Sequence, residues 1–377
     1  MIIGVPRETV PGERRVALVP DLVARLVQAK MEVVVQSGAG TSAGFLDAAY
    51  ADKGARIEPE VLAKADVVIK VQPPTAEEIA QIKSGATLIS FLQPYTNATG
   101  IQALAGRQVT AFSMELMPRI TRAQSMDALS AMSTVAGYKA VLIAANHLPK
   151  VFPLLMTAAG TLSPARVFIV GAGVAGLQAI GTARRLGAVV EAYDTRPVVK
   201  EQVESLGGKF VELGLETKDA QAATGYAKAQ SEEFYEKQRQ MMLKVVAGAD
   251  VVIPTALVPG KRAPILITEE MVQAMRPGSV LVDLAADQGG NCAITEPGKE
   301  VVKHGVTIIG PVNIASTVPF HASQMYARTV TNYLLHLAKD GQMQLDLNDE
   351  LTRGPLVTRE GQVVHEVVKT TIAVDAK

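Results

Sequence analysis

The chain has 377 residues, 48% hydrophobic and 20% charged, the make-up of a globular protein long enough for two buried cores. Its 37 basic residues balance 37 acidic ones, so no overall electrostatic pull toward nucleic acid exists. A single cysteine, Cys292, excludes an intrachain disulfide and fits a reducing compartment. The five histidines (147, 304, 321, 336, 365) show no ligand spacing, so no metal site is expected. The opening, Met1-Ile-Ile-Gly-Val-Pro6, reads directly as a strand without a basic-then-apolar leader. Apolar stretches are interrupted by Lys139, Asn146 or Pro153 before reaching the ~18 residues that cross a bilayer. A cytoplasmic location is expected, with no direct membrane insertion and any membrane contact made through a partner.

In chain order, Ile2–Val5, Glu32–Gln36, Val67–Val71, Thr87–Leu92 and Val109–Ser113 read as buried strands. Between them Asp21–Ala29, Thr75–Ile82 and Asn97–Leu104 carry apolar residues at helical spacing. A long helix rich in Ala, Met and Leu is predicted over Ala123–Asn146 as a connector. A second alternation follows: Val167–Val170, Val189–Tyr193, Lys209–Val211, Asp250–Pro254, Val280–Leu284 and Val306–Ile309. A final helix, about Ala322–Lys339, is expected to return to the first domain, and the tail beyond Gly341 to add a small irregular element. The fold class is therefore α/β: two Rossmann-like, doubly wound parallel-sheet domains joined by long helices, 1–125 with 320–377 and 126–319.

The strand ending at Val170 runs into Gly171-Ala-Gly173-Val-Ala-Gly176 and then into helical sequence. The first glycine suits a tight turn, the second a close approach of backbone to pyrophosphate, and the third tight helix–strand packing. Eighteen residues past Gly176, at the end of the next strand, Asp194 stands where an acid accepts from ribose hydroxyls. A 2′-phosphate there meets like charge, so NAD(H) is expected over NADP(H). Arg196 is the competing signal, since it is able to pair with a phosphate.

Four segments, Gly4-Val-Pro-Arg-Glu8, Glu13-Arg-Arg-Val-Ala17, Asp66-Val-Val-Ile-Lys70-Val and Leu281-Val-Asp-Leu-Ala-Ala-Asp-Gln-Gly-Gly290, resemble the alanine dehydrogenase and transhydrogenase superfamily. Within it, Met114-Glu-Leu-Met-Pro-Arg-Ile-Thr-Arg-Ala-Gln-Ser-Met-Asp-Ala-Leu-Ser130 with Ala136-Gly-Tyr138 closely resembles the NAD(H)-binding subunits of proton-translocating transhydrogenases. So do Gly225-Tyr-Ala-Lys228 and Glu232-Glu-Phe-Tyr-Glu-Lys-Gln238. The resemblance implies that Arg119, Gln124, Asp127 and Ser130 orient the nicotinamide ring. It further implies nucleotide contacts from Val174, Thr195, Gly225, Tyr226, Gln238 and Leu257. From spacing alone, Thr121 or Ser125 caps a helix while Arg122 and Asp127 form a surface pair. The polar stretch 212–230 is long for a compact domain and holds one aromatic residue, Tyr226, which suits either a lid over nucleotide or a surface insertion.

Oxidation of an amino acid moves a proton as well as a hydride and so needs an acid–base group. The resemblance places the histidine of alanine dehydrogenases after the strand Ser90-Phe-Leu-Gln93, and here Gln93 cannot titrate near neutral pH. Arg15, Lys70 and Asp287 match residues of the alanine dehydrogenase site and are expected to be structural here. Hydride exchange between two nicotinamides needs only that the carbons be held within about 3–3.5 Å. What the resemblance implies is NAD(H) bound in the cleft between the domains, with NADP(H) on a separate partner subunit. It also implies further membrane-spanning subunits coupling the exchange to proton translocation, a homodimer, and a peripheral position on the inner face of the cytoplasmic membrane. The alternative is a soluble alanine- or saccharopine-type dehydrogenase.

Overall fold

Short runs of β-branched residues make the centre of each sheet, because both faces of these strands are covered. Val33, Val34, Val35, Val67, Val68 and Ile69 in one sheet, and Val251, Val252 and Ile253 in the other, are buried. Such unbroken burial is what parallel strands packed between helix layers require. The computed structural model describes residues 1–212, 232–258 and 260–375. They divide into two units: Met1–Met132 with Ala315–Lys377, and Ser133–Ile314.

In the first unit six parallel strands lie in the order Arg56–Glu58, Glu32–Gln36, Ile2–Val5, Val67–Ile69, Thr87–Ser90, Thr110–Ser113. The direction of winding reverses between Ile2–Val5 and Val67–Ile69, which marks the switch point where doubly wound sheets open a crevice. The far edge departs from the sequence reading. Leu356–Arg359 and Gln362–Val363 continue the sheet in antiparallel sense, where periodicity alone predicts an irregular tail. Thr358 Oγ1 donates to the Val109 carbonyl at 2.7 Å and helps hold this added edge. Helix starts follow local chemistry. Pro20 and Pro319 occupy first-turn positions, Thr75 and Glu78 form a reciprocal capping box, and Asn97 caps Ala98–Gly106. Pro319–Leu337 sends Tyr326 and Tyr333 into the core, their hydroxyls donating to the Lys70 and Leu351 carbonyls at 2.7 and 3.1 Å.

The second unit orders its strands Lys209–Phe210, Val189–Tyr193, Arg166–Val170, Val251–Pro254, Val280–Val282, Val306–Ile309, Glu300–Lys303. The last strand is antiparallel to its neighbour, so this sheet too is parallel except at one edge. The reversal lies between Arg166–Val170 and Val251–Pro254. An exposed hairpin, Leu155–Thr157 with Gly160–Leu162, has no counterpart in the sequence reading.

The connector helix is Ala128–His147, preceded by a 3₁₀ turn over Thr121–Met126. Contrary to the sequence reading, this helix is long and apolar enough to cross a membrane by length and composition, with a mean hydropathy of 1.4. Ala140, Val141 and Ala144 nevertheless lie in the core of the second unit, in one buried cluster with the strand residues Val167 and Ile169. Gly137 lets the helix approach the dinucleotide loop: a Cβ there would lie 2.1 Å from the Ala175 carbonyl oxygen.

Candidate functional site

The glycine loop leaves the sheet at the switch point of the second unit. Gly171 sits at φ +101°, a left-handed conformation that glycine alone adopts without strain. Gly176 packs so tightly on it that a Cβ would come within 1.8 Å of the Gly171 carbonyl oxygen. Gly173 is different. Nothing lies within 4 Å of where its Cβ would be, so backbone faces open space at the head of the helix Val174–Arg185. First-turn amides, which have no partner within the helix, and the positive end of the helix dipole converge there, with Val174 exposed beside them. An anionic pyrophosphate fits this cradle. Across the switch point, the Thr255 hydroxyl donates to the Gly171 carbonyl at 3.0 Å and fixes the turn.

Asp194 closes the strand Val189–Tyr193, and both of its oxygens accept internal hydrogen bonds. Oδ2 accepts from Ala172 N at 2.8 Å and Arg196 Nη2 at 3.0 Å. Oδ1 accepts from Arg196 N at 2.8 Å and Nε at 3.0 Å. The expected acid therefore stands beside the glycine loop, and its rival signal Arg196 is its own partner; Thr195 is the residue between them, half-buried.

A second support carries no sequence signal. Asn291 is fully buried; its Nδ2 donates to the Ala256 and Pro264 carbonyls at 2.9 and 2.8 Å, and its Oδ1 accepts from Ala256 N at 2.9 Å. It thereby holds the segment entering Leu257, which is half-buried. Asp283, also buried, accepts from Asn291 N, Cys292 N and Thr295 Oγ1 at 2.8–2.9 Å. Burial pushes its pKa up while these bonds oppose the rise. Gln238 is 1% exposed, and its Oε1 has no partner among the described residues. Gly225 and Tyr226 lie outside the described residues.

Arg119, Gln124, Asp127 and Ser130 share one segment of the first unit, with Arg119 and Gln124 exposed. Asp127 caps the connector helix: Oδ1 accepts from Ser130 N at 2.8 Å and Oδ2 from Ser130 Oγ at 2.6 Å. The alternative of a cap from Thr121 or Ser125 with an Arg122–Asp127 pair does not form. Arg122 pairs instead with Asp349 at 2.8 Å, and Asn332 Nδ2 donates to the Ser125 carbonyl at 2.9 Å. Glu115, which lies in the Met114–Ser130 motif with no role expected of it there, organises the turn at Gln93. Its carboxylate accepts from Leu92 N, Gln93 N and Ser113 Oγ, the shortest at 2.6 Å. Burial pushes its pKa up. Gln93 itself is exposed, at φ +52°.

At the first unit's switch point stands a cluster of buried ions rather than glycines. Arg15 binds Glu13 through Nε at 2.8 Å and Nη2 at 2.6 Å. Lys70, fully buried, lies 3.0 Å from Glu78 and 3.4 Å from Glu8, and Glu8 Oε1 accepts from Val71 N at 2.6 Å. The two cations expected to be structural are thus each engaged by internal carboxylates. Asp287, on the short turn Ala286–Gln288, is exposed.

A doubly wound sheet with a glycine turn at its switch point and an acid ending the next strand defines the dinucleotide-binding class of α/β protein. Comparison with known families narrows the class. The model for the alanine dehydrogenase/PNT N-terminal domain matches residues 4–136 and that for the C-terminal domain residues 140–366, so the chain belongs to the alanine dehydrogenase/PNT family. It is 52% identical over 376 residues to an NAD(P) transhydrogenase subunit alpha polypeptide of Rhodospirillum rubrum, covering 97% of this chain and 98% of that protein. Identity to alanine dehydrogenase of Bacillus subtilis is 32% over 378 residues, covering 98% of this chain and 94% of that one. The crystal structure of transhydrogenase from Sinorhizobium meliloti superposes with a TM-score of 0.85 at 42% identity, covering 97% of this chain and all of that one.

Proposed function

We propose that this chain is the NAD(H)-binding subunit of a proton-translocating, Re/Si-specific NAD(P)+ transhydrogenase. A hydride passes directly between NADH on this chain and NADP+ on a partner subunit, and membrane-spanning subunits couple the exchange to proton translocation. The chain acts as a homodimer held at the inner face of the cytoplasmic membrane by those partners. The observation that carries this reading is Gln93: a carboxamide, which does not titrate near neutral pH, stands on the turn that Glu115 pins. Higher identity to the transhydrogenase subunit than to alanine dehydrogenase supports it.

The dinucleotide, when bound, supplies the hydride. The chain's own residues bind and aim it. The amides around Gly173 hold pyrophosphate, Asp194 holds the adenosine ribose, and Val174, Thr195, Gln238 and Leu257 line the remainder. Arg119, Gln124, Asp127 and Ser130 orient the nicotinamide and its carboxamide. Orientation alone suffices for transfer between two rings, because no proton changes hands.

Arg15 and Lys70 favour a second reading, a free-standing amino-acid dehydrogenase. Against it, their charges are met by Glu13, Glu8 and Glu78. One experiment separates the two: the protein is mixed with a recombinant NADP(H)-binding subunit, NADH and an NADP+ analogue, with L-alanine plus NAD+ as control. Hydride exchange without alanine oxidation is expected. Alanine oxidation at a useful rate, with no exchange, would overturn the assignment.

A further inference from the structure

We infer that Asn291 is a positioning residue for the nicotinamide half of the dinucleotide site. Its buried carboxamide clamps the neck of the loop that follows the strand Val251–Pro254, and so fixes the wall against which the ring is aimed. The inference rests on the dinucleotide reading above and deepens it. Doubly wound sheets bind dinucleotides across the switch point, at the carboxyl ends of the strands, one mononucleotide on each side. The glycine turn and Asp194 follow the strands Arg166–Val170 and Val189–Tyr193 on one side, so the adenosine half belongs there. Val251–Pro254 and Val280–Val282 stand on the other side, and the segments that follow them meet at Asn291.

The clamp joins both limbs of that loop. On the departing limb Ala256 is held at both backbone groups, its N–H donating to Oδ1 and its carbonyl accepting from Nδ2, each at 2.9 Å. On the returning limb the same Nδ2 donates to the Pro264 carbonyl at 2.8 Å, and the Asn291 carbonyl accepts from Leu266 N and Ile267 N at 2.8 and 3.0 Å. Both donors of the carboxamide are thereby used, and an isosteric carboxylate would face two carbonyl oxygens with no hydrogen to offer. Asn291 is held in turn by Asp283, whose carboxylate accepts from Ala285 N, Asn291 N, Cys292 N and Thr295 Oγ1 at 2.8–3.0 Å. The chain curls round that carboxylate through Gly289 and Gly290, at φ +98° and +77°, and a Cβ on Gly290 would lie 3.0 Å from Asp283 Oδ2. Thr255, by contrast, is fixed without Asn291: its N–H donates to the Val170 carbonyl at 2.8 Å and its hydroxyl to that of Gly171 at 3.0 Å. Loosening the clamp therefore frees the chain from Ala256 to Leu257 and leaves the glycine turn in place.

The test compares full-length wild type, Asn291→Asp and Val306→Ala. Val306 is buried at the amino end of its strand, away from the crevice, so its truncation lowers stability without touching the clamp. Calorimetric titration reads affinity for NADH and for ADP-ribose, which lacks the nicotinamide. Hydride exchange to an NADP+ analogue on the partner subunit is read with both nucleotides saturating, and circular dichroism and thermal unfolding check folding. For Asn291→Asp we expect ADP-ribose affinity within about twofold of wild type, NADH affinity weakened by more than that, and saturated exchange slowed by roughly tenfold or more, since small misplacements of reacting groups cost rates of that order. Val306→Ala should exchange at the wild-type rate while folded. Asn291→Asp exchanging as fast as wild type would overturn the inference. So would ADP-ribose binding weakened as much as NADH binding, or a Val306→Ala protein slowed to the same degree. Should Asn291→Asp fail to fold, Asn291→Ser takes its place under the same criteria. Failure of wild type itself to bind NADH would instead sink the underlying dinucleotide reading, and the inference with it.

Discussion

Two glycines of one loop should fail in opposite ways when given a methyl group. At Gly176 a Cβ would lie 1.8 Å from the Gly171 carbonyl oxygen and 2.9 Å from its carbon. Both are backbone atoms, so strand end and helix have to separate by roughly 1.5 Å, an overpacking cost of about 2–3 kcal/mol. For a unit of this size that corresponds to a fall in Tm of about 4–12 °C. At Gly173 a Cβ meets nothing within 4 Å, and its φ of −79° suits any residue. Gly173→Ala should therefore change stability by no more than about 1 kcal/mol, the size of an N-cap effect. Yet its methyl fills the space where the pyrophosphate approaches, and the NADH Kd should rise about tenfold or more, at least 1.4 kcal/mol. Thermal unfolding without ligand and NADH titration read the two quantities separately. Wild-type NADH affinity in Gly173→Ala would remove the loop from the site, and an unchanged Tm in Gly176→Ala would refute the packing argument.

Asp127→Ala should cost about 1 kcal/mol through the lost cap on Ser130 and lower hydride exchange at least tenfold. Asp127→Ser should restore the cap but not the exchange; recovery of both would reduce Asp127 to a cap. For Glu13, burial alone would raise the pKa, but the hydrogen bonds and charge of Arg15 outweigh it and bring it down to about 2. A depressed folded pKa contributes stability above the unfolded value that is lost as pH falls through the folded one, here between about pH 5 and 2 and amounting to roughly 3 kcal/mol. Glu13→Gln should be less stable at pH 7 and lose less on acidification over that window, as read by urea unfolding; a slope equal to wild type contradicts this. Burial pushes the Cys292 thiol up to about 11. At pH 8 only roughly one molecule in a thousand carries thiolate, so disulfide reagents should label Cys292 only on unfolding. Rapid labelling of native protein would refute its burial.

The features legible in the sequence are those carried by neighbouring residues. The strand entering Gly171, the glycine spacing and the acid ending the next strand are local, and the two alternations of strand and helix follow from periodicity. What escapes such reading depends on partners far along the chain. Leu356–Arg359 has too little pattern of its own to reveal that Thr110–Ser113 offers it an edge. Arg122 has an acid five residues away in Asp127 but finds Asp349, while Asp127 turns to Ser130. Asn291 lies outside every motif and Glu115 has no assigned role in its own, and their importance lies in the backbone groups that the fold brings to them. The connector helix differs from its sequence reading for a related reason. A single Lys139 does not make its composition polar, and only the fold reveals that Ala140, Val141 and Ala144 belong to the core of the second unit.

The central claim, hydride passed from ring to ring without a titrating side chain, is tested most directly by isotope. NADH deuterated at the transferred position of C4 is supplied with NADP+, this chain and an NADP(H)-binding partner subunit in ordinary water. The account predicts NADPH that retains all the transferred deuterium, at a rate insensitive to pH between 6 and 8 apart from stability. Deuterium lost to solvent, or a rate that follows a single ionisation in that range, would contradict it.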